Sequence, residues 1–114
     1  MNEFKLMNKS RYLLKYLEEN ILVNIPKVHN SYRVGIENNV IELNENIIRA
    51  NINERSIRNK YQKEILVNIS MIDLYLSILL ELNIVNKKKF ISITRVLNEI
   101  KRMSIGWIEN EKIK

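Results

Sequence analysis

Residues 98–112 read NEIKRMSIGWIENEK. The pattern is helical, yet it holds Gly106, one of two glycines in the chain, followed by Trp107, the one tryptophan. A glycine inside a helix costs about 1 kcal/mol against alanine, so its place needs a reason. Working back along the chain, Phe90, Ile93, Leu97, Ile100, Ser104 and Trp107 recur three and four residues apart. That spacing is the seam of a helix packed in a bundle. Trp107 therefore reads as a core residue, and a seam position argues against the other use of an aromatic, stacking on a base. Gly106 reads as a gap that lets a neighbouring helix or subunit come close.

Long stretches without a breaker continue upstream. With two Gly and one Pro in 114 residues, a turn-rich β protein is excluded and a single all-α domain, residues 1–114, follows. The first helix is expected from about Lys9 to Asn24, on Tyr12, Leu13, Tyr16, Leu17 and Ile21. Pro26 ends it, because the residue before a proline is pushed out of the α region. Asn30 or Ser31 is the expected N-cap of a second helix carrying Ile36, Val40, Leu43, Ile47 and Ala50. Clustered Asn51, Asn53 and Ser56 compete with helix hydrogen bonding and place a turn there; the alternative is one helix of about fifty residues. A third helix is expected over about Asn59 to Leu82. It has two apolar stripes, Ile65-Ile69-Ile72-Leu76-Leu79 and Val67-Met71-Leu74-Ile78-Leu82. Two stripes call for burial on two sides, at the centre of the bundle or at a subunit interface, with Ile72 and Leu76 as candidate core or oligomer-packing residues. Asn83 to Asn86 is a short connection, with Asn86 capping the fourth helix. The architecture is an up-down antiparallel four-helix bundle.

The chain lacks cysteine, which excludes disulfides and thiolate metal sites. His29 is the single histidine and lies in a polar turn, and no glutamate-x-x-histidine repeat is present, so no metal or other cofactor is expected. Nor is there a glycine-rich phosphate loop, and an enzyme is not expected. Ile65 to Val85, the most apolar stretch, contains Asn68, Asp73 and Glu81 and does not read as a membrane span. Without an apolar h-region near the start, the expected location is cytoplasmic. The abundance of Asn, Ile and Lys reflects coding bias and carries no functional weight.

Charge does carry weight. The net +6 is uneven: residues 84–114 hold eight basic and three acidic groups, residues 31–83 six basic and seven acidic. A polyanion partner is indicated, with a solvated helix face as the plain alternative. Lys88, Arg95 and Arg102 fall seven apart on the side of the fourth helix opposite its seam. With Lys87, Lys89 and Lys101 they are the candidate phosphate contacts. Lys5, Lys9, Arg11 and Lys15 form a second basic group, which the up-down topology brings beside the first.

Three segments together resemble a known family. They are Ile25-Pro26-Lys27 in the first turn, Arg49-Ala50, and the closing run Glu99-Ile100-Lys101 and Ile105-Gly106-Trp107-Ile108. In this order they resemble the accessory variability proteins of diversity-generating retroelements, and the related four-helix proteins encoded in ribosomal RNA intervening sequences. The likeness spans roughly residues 9–112. The family pattern has phenylalanine before the proline, a glycine where Lys101 stands, and two glycines before the tryptophan. Many relatives also carry arginines in the third helix, where this chain has Ser77 and Glu81. The resemblance implies a homopentameric ring of four-helix bundles that binds template RNA, or DNA, together with the retroelement's reverse transcriptase, and that supplies no catalysis itself. A purely structural oligomerisation module, or an intervening-sequence-type protein of obscure role, is the alternative.

Overall fold

The computed structural model describes residues 3–113. Four helices carry the fold: α1 (Glu3–Asn20), α2 (Asn30–Ile52), α3 (Arg55–Glu81) and α4 (Lys87–Ile113). No strand occurs among the described residues. Each helix packs on its neighbours in the chain, and α4 closes back on α1. Ion pairs and hydrogen bonds set every adjacent pair antiparallel: Ser10 to Asn44, Asn46 to Asn68, Arg58 to Glu111, Lys9 to Glu99. The particle is elongated, 46 × 22 × 19 Å.

The first helix starts six residues before the expected Lys9 and stops at Asn20 rather than Asn24. Its buried ladder is Leu6, Ser10, Leu13, Leu17 and, just past its end, Ile21. Leu6 extends the four-three spacing two turns upstream of the part read from sequence. Tyr12, expected in the core, is exposed, and Tyr16 is half-buried. Leu22–Asn24 tightens into a 3-10 turn, and Ile25 before Pro26 is extended (φ −80°, ψ 121°), as the proline demands. A second 3-10 turn, Lys27–His29, runs straight into α2. Neither Asn30 nor Ser31 caps that helix. His29 is its N-cap residue and makes no side-chain cap bond, while Asn30 accepts from Arg33 Nε at 2.8 Å. His29 is half-buried and its ring stacks on Tyr32, with centroids 5.9 Å apart, instead of standing free in solvent.

The break between α2 and α3 falls at Asn53 and Glu54, both extended. The single fifty-residue helix is thus ruled out, and α3 begins at Arg55 instead of Asn59. Asn53 Nδ2 donates to the carbonyl of Arg49 at 2.7 Å, closing one end of α2. Arg58 does more. Its Nε donates to the carbonyl of Ala50 at 2.8 Å and its Nη2 to that of Asn53 at 2.9 Å. These are carbonyls that a helix end leaves without an internal partner.

The α3–α4 connection is a Schellman motif with asparagine at its left-handed position. Asn83 has φ 60°, its N–H reaches the carbonyl of Leu80 at 3.0 Å, and Ile84 N–H reaches that of Leu79 at 2.9 Å. Asn86 then caps α4 as expected, accepting from the Lys89 amide at 2.8 Å.

Ile65, Ile69, Ile72, Leu76 and Leu79 line the core, and Ile72 and Leu76 are fully buried within the chain. The second α3 stripe is not central. Val67, Leu74 and Leu82 are exposed. Two asparagines take core positions at the α2–α3 contact. Asn46 Nδ2 donates to Asn68 Oδ1 at 2.9 Å, and Asn68 in turn donates to Asn39 at 3.2 Å. Buried amides that satisfy each other fix register, since a shift of one turn would leave them unpaired.

The two glycines sit in opposite surroundings. A Cβ on Gly106 would meet nothing within 4 Å, so no neighbouring helix of this chain comes close there. Gly35 is the tight point: its Cβ would sit 2.7 Å from Cε2 and Cζ of Tyr75. Trp107 does belong to the core, 2 % exposed. Its Nε1 is buried without a partner among the described residues, so packing holds the ring, together with the Arg58 guanidinium 5.8 Å from its centroid.

Urea unfolding of three variants tests these placements. Gly106→Ala should raise stability by about 0.5–1 kcal/mol, the gain in helix propensity with nothing in the way. Gly35→Ala should lower it, because Tyr75 must shift; a gain at both sites would refute the close approach at Gly35. Trp107→Ala should cost about 3–5 kcal/mol, as an emptied large aromatic site does. A Trp107→Ala protein as stable as the parent would mean that the ring is not a core element.

Candidate nucleic-acid interface

The α4 seam fixes what its other face can do. Ile93, Leu97, Ile100, Ser104 and Trp107 are buried, and Lys88, Arg95 and Arg102 stand exposed on the opposite side, two turns apart. None of these three has a carboxylate within 4.0 Å among the described residues. Lys88 and Arg95 stand clear of any such contact, while Glu99, one turn before Arg102, is held below its ordinary value by Lys9 first and by the charge of Arg102 as well.

The other basic residues divide. Lys9 is spent on an ion pair, with Nζ 2.6 Å from Glu99 Oε2, tying α1 to α4. Lys89 reaches back to the carbonyl of Asn20 at 3.2 Å and closes the end of α1. Lys101 is exposed but lies in the α3–α4 groove, beside Ile69, Ser70 and Asp73. Arg11 follows Ser10, which bonds Asn44 of α2, and so falls on the α2 side of α1, away from α4. Lys15 is exposed, 3.9 Å from Glu19, a separation at which an exposed pair contributes little. Lys87 is exposed at the start of α4, whose first turn carries three lysines and no acid. Cations there oppose the helix dipole, so the positive ends of the dipole and of the side chains add.

The two basic groups do meet at one place. Lys5, Lys9, Glu99, Arg102, Met103 and Gly106 line a single shallow groove between α1 and α4. Gly106 thus opens the floor of a groove instead of admitting a helix of its own chain. Alongside, Ile91, Thr94, Arg95, Asn98 and Arg102 line a second depression on the outer face of α4.

Two contributors were not legible from the residues alone. Tyr12, 54 % exposed, stands on the flank of α1. The contacts Lys9–Glu99 and Lys89–Asn20 set the antiparallel register, which brings Tyr12 level with Val96. Its ring and that of Tyr16 are 6.1 Å apart. An i, i+4 pair of tyrosines in a helix counts as core in any periodicity argument, so only the position of α4 shows that one of them is outside. Arg58 is the other. Its Nη1 bonds Glu111 Oε1, and Arg55 Nε approaches Glu111 Oε2 at 3.3 Å. Nothing in the run NINERSIRNK distinguishes the arginine that turns inward.

Chemically the face offers guanidinium and ammonium donors at two-turn intervals, a groove, and an exposed phenol ring. It offers no cluster of metal ligands: no three His, Cys, Asp or Glu among the described residues converge. No helix among them is long and apolar enough to cross a membrane. Set against family models, curated proteins and solved structures, the chain matches none.

Two carboxylates respond to these surroundings in opposite directions. Hydrogen bonding to Lys9, reinforced by its charge, holds Glu99 below the ordinary 4.5. Glu18 is raised, chiefly by a side-chain hydrogen bond to Glu37 on α2, with desolvation and the Glu37 charge adding and Arg33 opposing. The linkage signs differ accordingly. The Glu99 contribution is present above the ordinary carboxylate value and lost as pH falls through the lowered one. The Glu18 contribution is present at low pH and lost as pH rises through the raised value. Carboxyl NMR titration should show Glu99 moving up in Lys9→Gln and Glu18 moving down in Glu37→Gln. Unmoved titrations would mean that neither contact forms in solution.

Proposed function

We propose that this chain is a nucleic-acid-binding accessory subunit that acts without catalysis of its own. In this reading the α1–α4 face binds the phosphate backbone of structured RNA. The observation that carries it is the row Lys88-Arg95-Arg102, exposed, in no ion pair within 4.0 Å and aligned on one rigid helix. Evenly spaced cations neutralise phosphates and release counterions with little base readout. Tyr12, exposed on α1, supplies an aromatic surface on which an unpaired base can stack. The start of α4, with its three lysines, extends the positive field to one end of the bundle.

The resemblance in the first turn and in the closing segment adds the setting. It favours an accessory role beside a retroelement reverse transcriptase, in a homopentameric ring, within the cytoplasm, where a template RNA is copied with errors. DNA shares the phosphate chemistry and is the second ligand to test. A structural oligomerisation module is the competing reading, favoured by the exposed aliphatic stripe of α3.

Electrophoretic retardation of a structured RNA at graded salt separates the two. Parent protein should bind at low salt, and Lys88→Gln, Arg95→Gln and Arg102→Gln combined should weaken binding. The slope of log affinity against log salt should flatten by roughly 0.7–0.9 for each phosphate that is no longer neutralised. Helix content should not change, because exposed substitutions usually cost within about 0.5 kcal/mol. Glu42→Gln with Glu45→Gln, on α2, should leave binding intact. No retardation by the parent at low salt would leave the oligomerisation module standing in its place.

A further inference from the structure

A bundle complete as a monomer turns mostly polar residues outward. Here α4 exposes Ile91 and Ile105 fourteen residues apart with Asn98 between them, whereas α2 and α3 expose continuous aliphatic rows. On α3, Val67, Leu74 and Leu82 are exposed, with half-buried Met71 and Ile78 between them. On α2, Val34, Ile41, Ile48 and Ile52 make a second exposed aliphatic row, mostly seven apart. The exposures run from 39 % at Val34 to 75 % at Ile52, so both rows stand in water.

The two rows face different ways. The residues of α2 that touch α3 are Gly35 at Tyr75 and Asn39 and Asn46 at Asn68. On a helix of 3.6 residues per turn the Val34-Ile41-Ile48 row lies on the far side from these. Likewise Arg58 of α3 turns to α4, and the Val67-Leu74-Leu82 row lies away from it. No single symmetric contact covers both. Two copies joined α3 to α3 would leave each α2 row in water. A head-to-tail contact, α3 of one copy on α2 of the next, covers both rows on every copy that has two neighbours.

Charge selects the same faces. Residues 31–83, which hold both rows, carry six basic and seven acidic groups, so like copies meet there with little repulsion. The outer faces of α1 and α4 hold most of the excess positive charge and would repel their own kind.

We infer that copies of this chain associate head-to-tail, the α3 row around Leu74 packing on a neighbour's α2 row around Ile48. Such a contact is heterologous and, repeated, closes into a ring or runs into a filament. It leaves the α1–α4 face of every copy outward. The inference rests on the reading that the chain self-associates, and adds which surfaces meet.

Leu74→Asp and Ile48→Asp test it by analytical ultracentrifugation, with circular dichroism as the check on folding. The parent should sediment as an oligomer of the 13.6 kDa chain, and each variant alone as a monomer. Mixed in equal amounts at high concentration they should give a dimer and nothing larger. The first variant keeps a sound α2 row and the second a sound α3 row, so one good contact can form. If either aspartate unfolds the chain, Leu74→Ser and Ile48→Ser carry the same test. An Ile48→Asp protein that stays assembled overturns the head-to-tail contact while self-association survives. So does a mixture that stays monomeric. A monomeric parent overturns both.

Discussion

The guanidinium of Arg58 is where the chain's three-dimensional order is tied. It closes the end of α2 through the carbonyls of Ala50 and Asn53, holds Glu111 on α4, and lies over the ring of Trp107. A planar group with five donors can serve three elements at once, which a lysine could not. Because Arg58 opens the second turn of α3, it turns a break in a long helical stretch into a hairpin. Because it reaches Glu111, it also sets the last turns of α4 against the start of α3. The rotation of α4 that buries Trp107 is the same rotation that sends Lys88, Arg95 and Arg102 outward.

The molecule that results has unlike sides. Cations and a tyrosine occupy the outer surface of α1 and α4, while aliphatic rows occupy the outer surfaces of α2 and α3. Between them the core is held in register by asparagines rather than by shape alone, Asn44 with Ser10 and Asn46 with Asn68. Apolar side chains tolerate sliding, whereas unpaired amides in the interior do not. Specific placement of the outer faces follows from that constraint.

Helix number, the four-three seams and the Asn86 cap were legible in the residues, because each depends on spacing within one element. The same holds for the proline turn. What spacing could not resolve is which of two plausible faces a neighbour covers. Tyr12 and Leu13 both fit an i, i+4 ladder, and only the placement of α4 leaves Tyr12 outside. The second stripe of α3 reads as buried at the bundle centre or at a subunit interface, and within the chain Val67, Leu74 and Leu82 of it stand exposed. Gly106 reads as a point of close approach because its cost is local and visible, yet no helix of this chain comes near it, while the close approach within the chain, Gly35 on Tyr75, joins residues forty positions apart. Lys9 and Lys89 read as free charges for the same reason: their partners, Glu99 and Asn20, are remote in sequence.

The α1–α4 contact is also the one that joins the two ends of the chain. The contacts of α2 with α3, and of α3 with α4, close over short connections and form early in a chain that folds by local steps. Closing α4 onto α1 requires the whole length to be in place, and Lys89 must find Asn20 across 69 residues. α1 also docks on α2 over a short connection, so it is the α1–α4 seam, of longest range, that closes last in such a sequence and is the natural first opening of the folded state. A polyanion bridging both helices would act as a clasp on that seam, slowing exchange of the amide hydrogens of α1 and α4 while leaving those of α2 and α3 as they were.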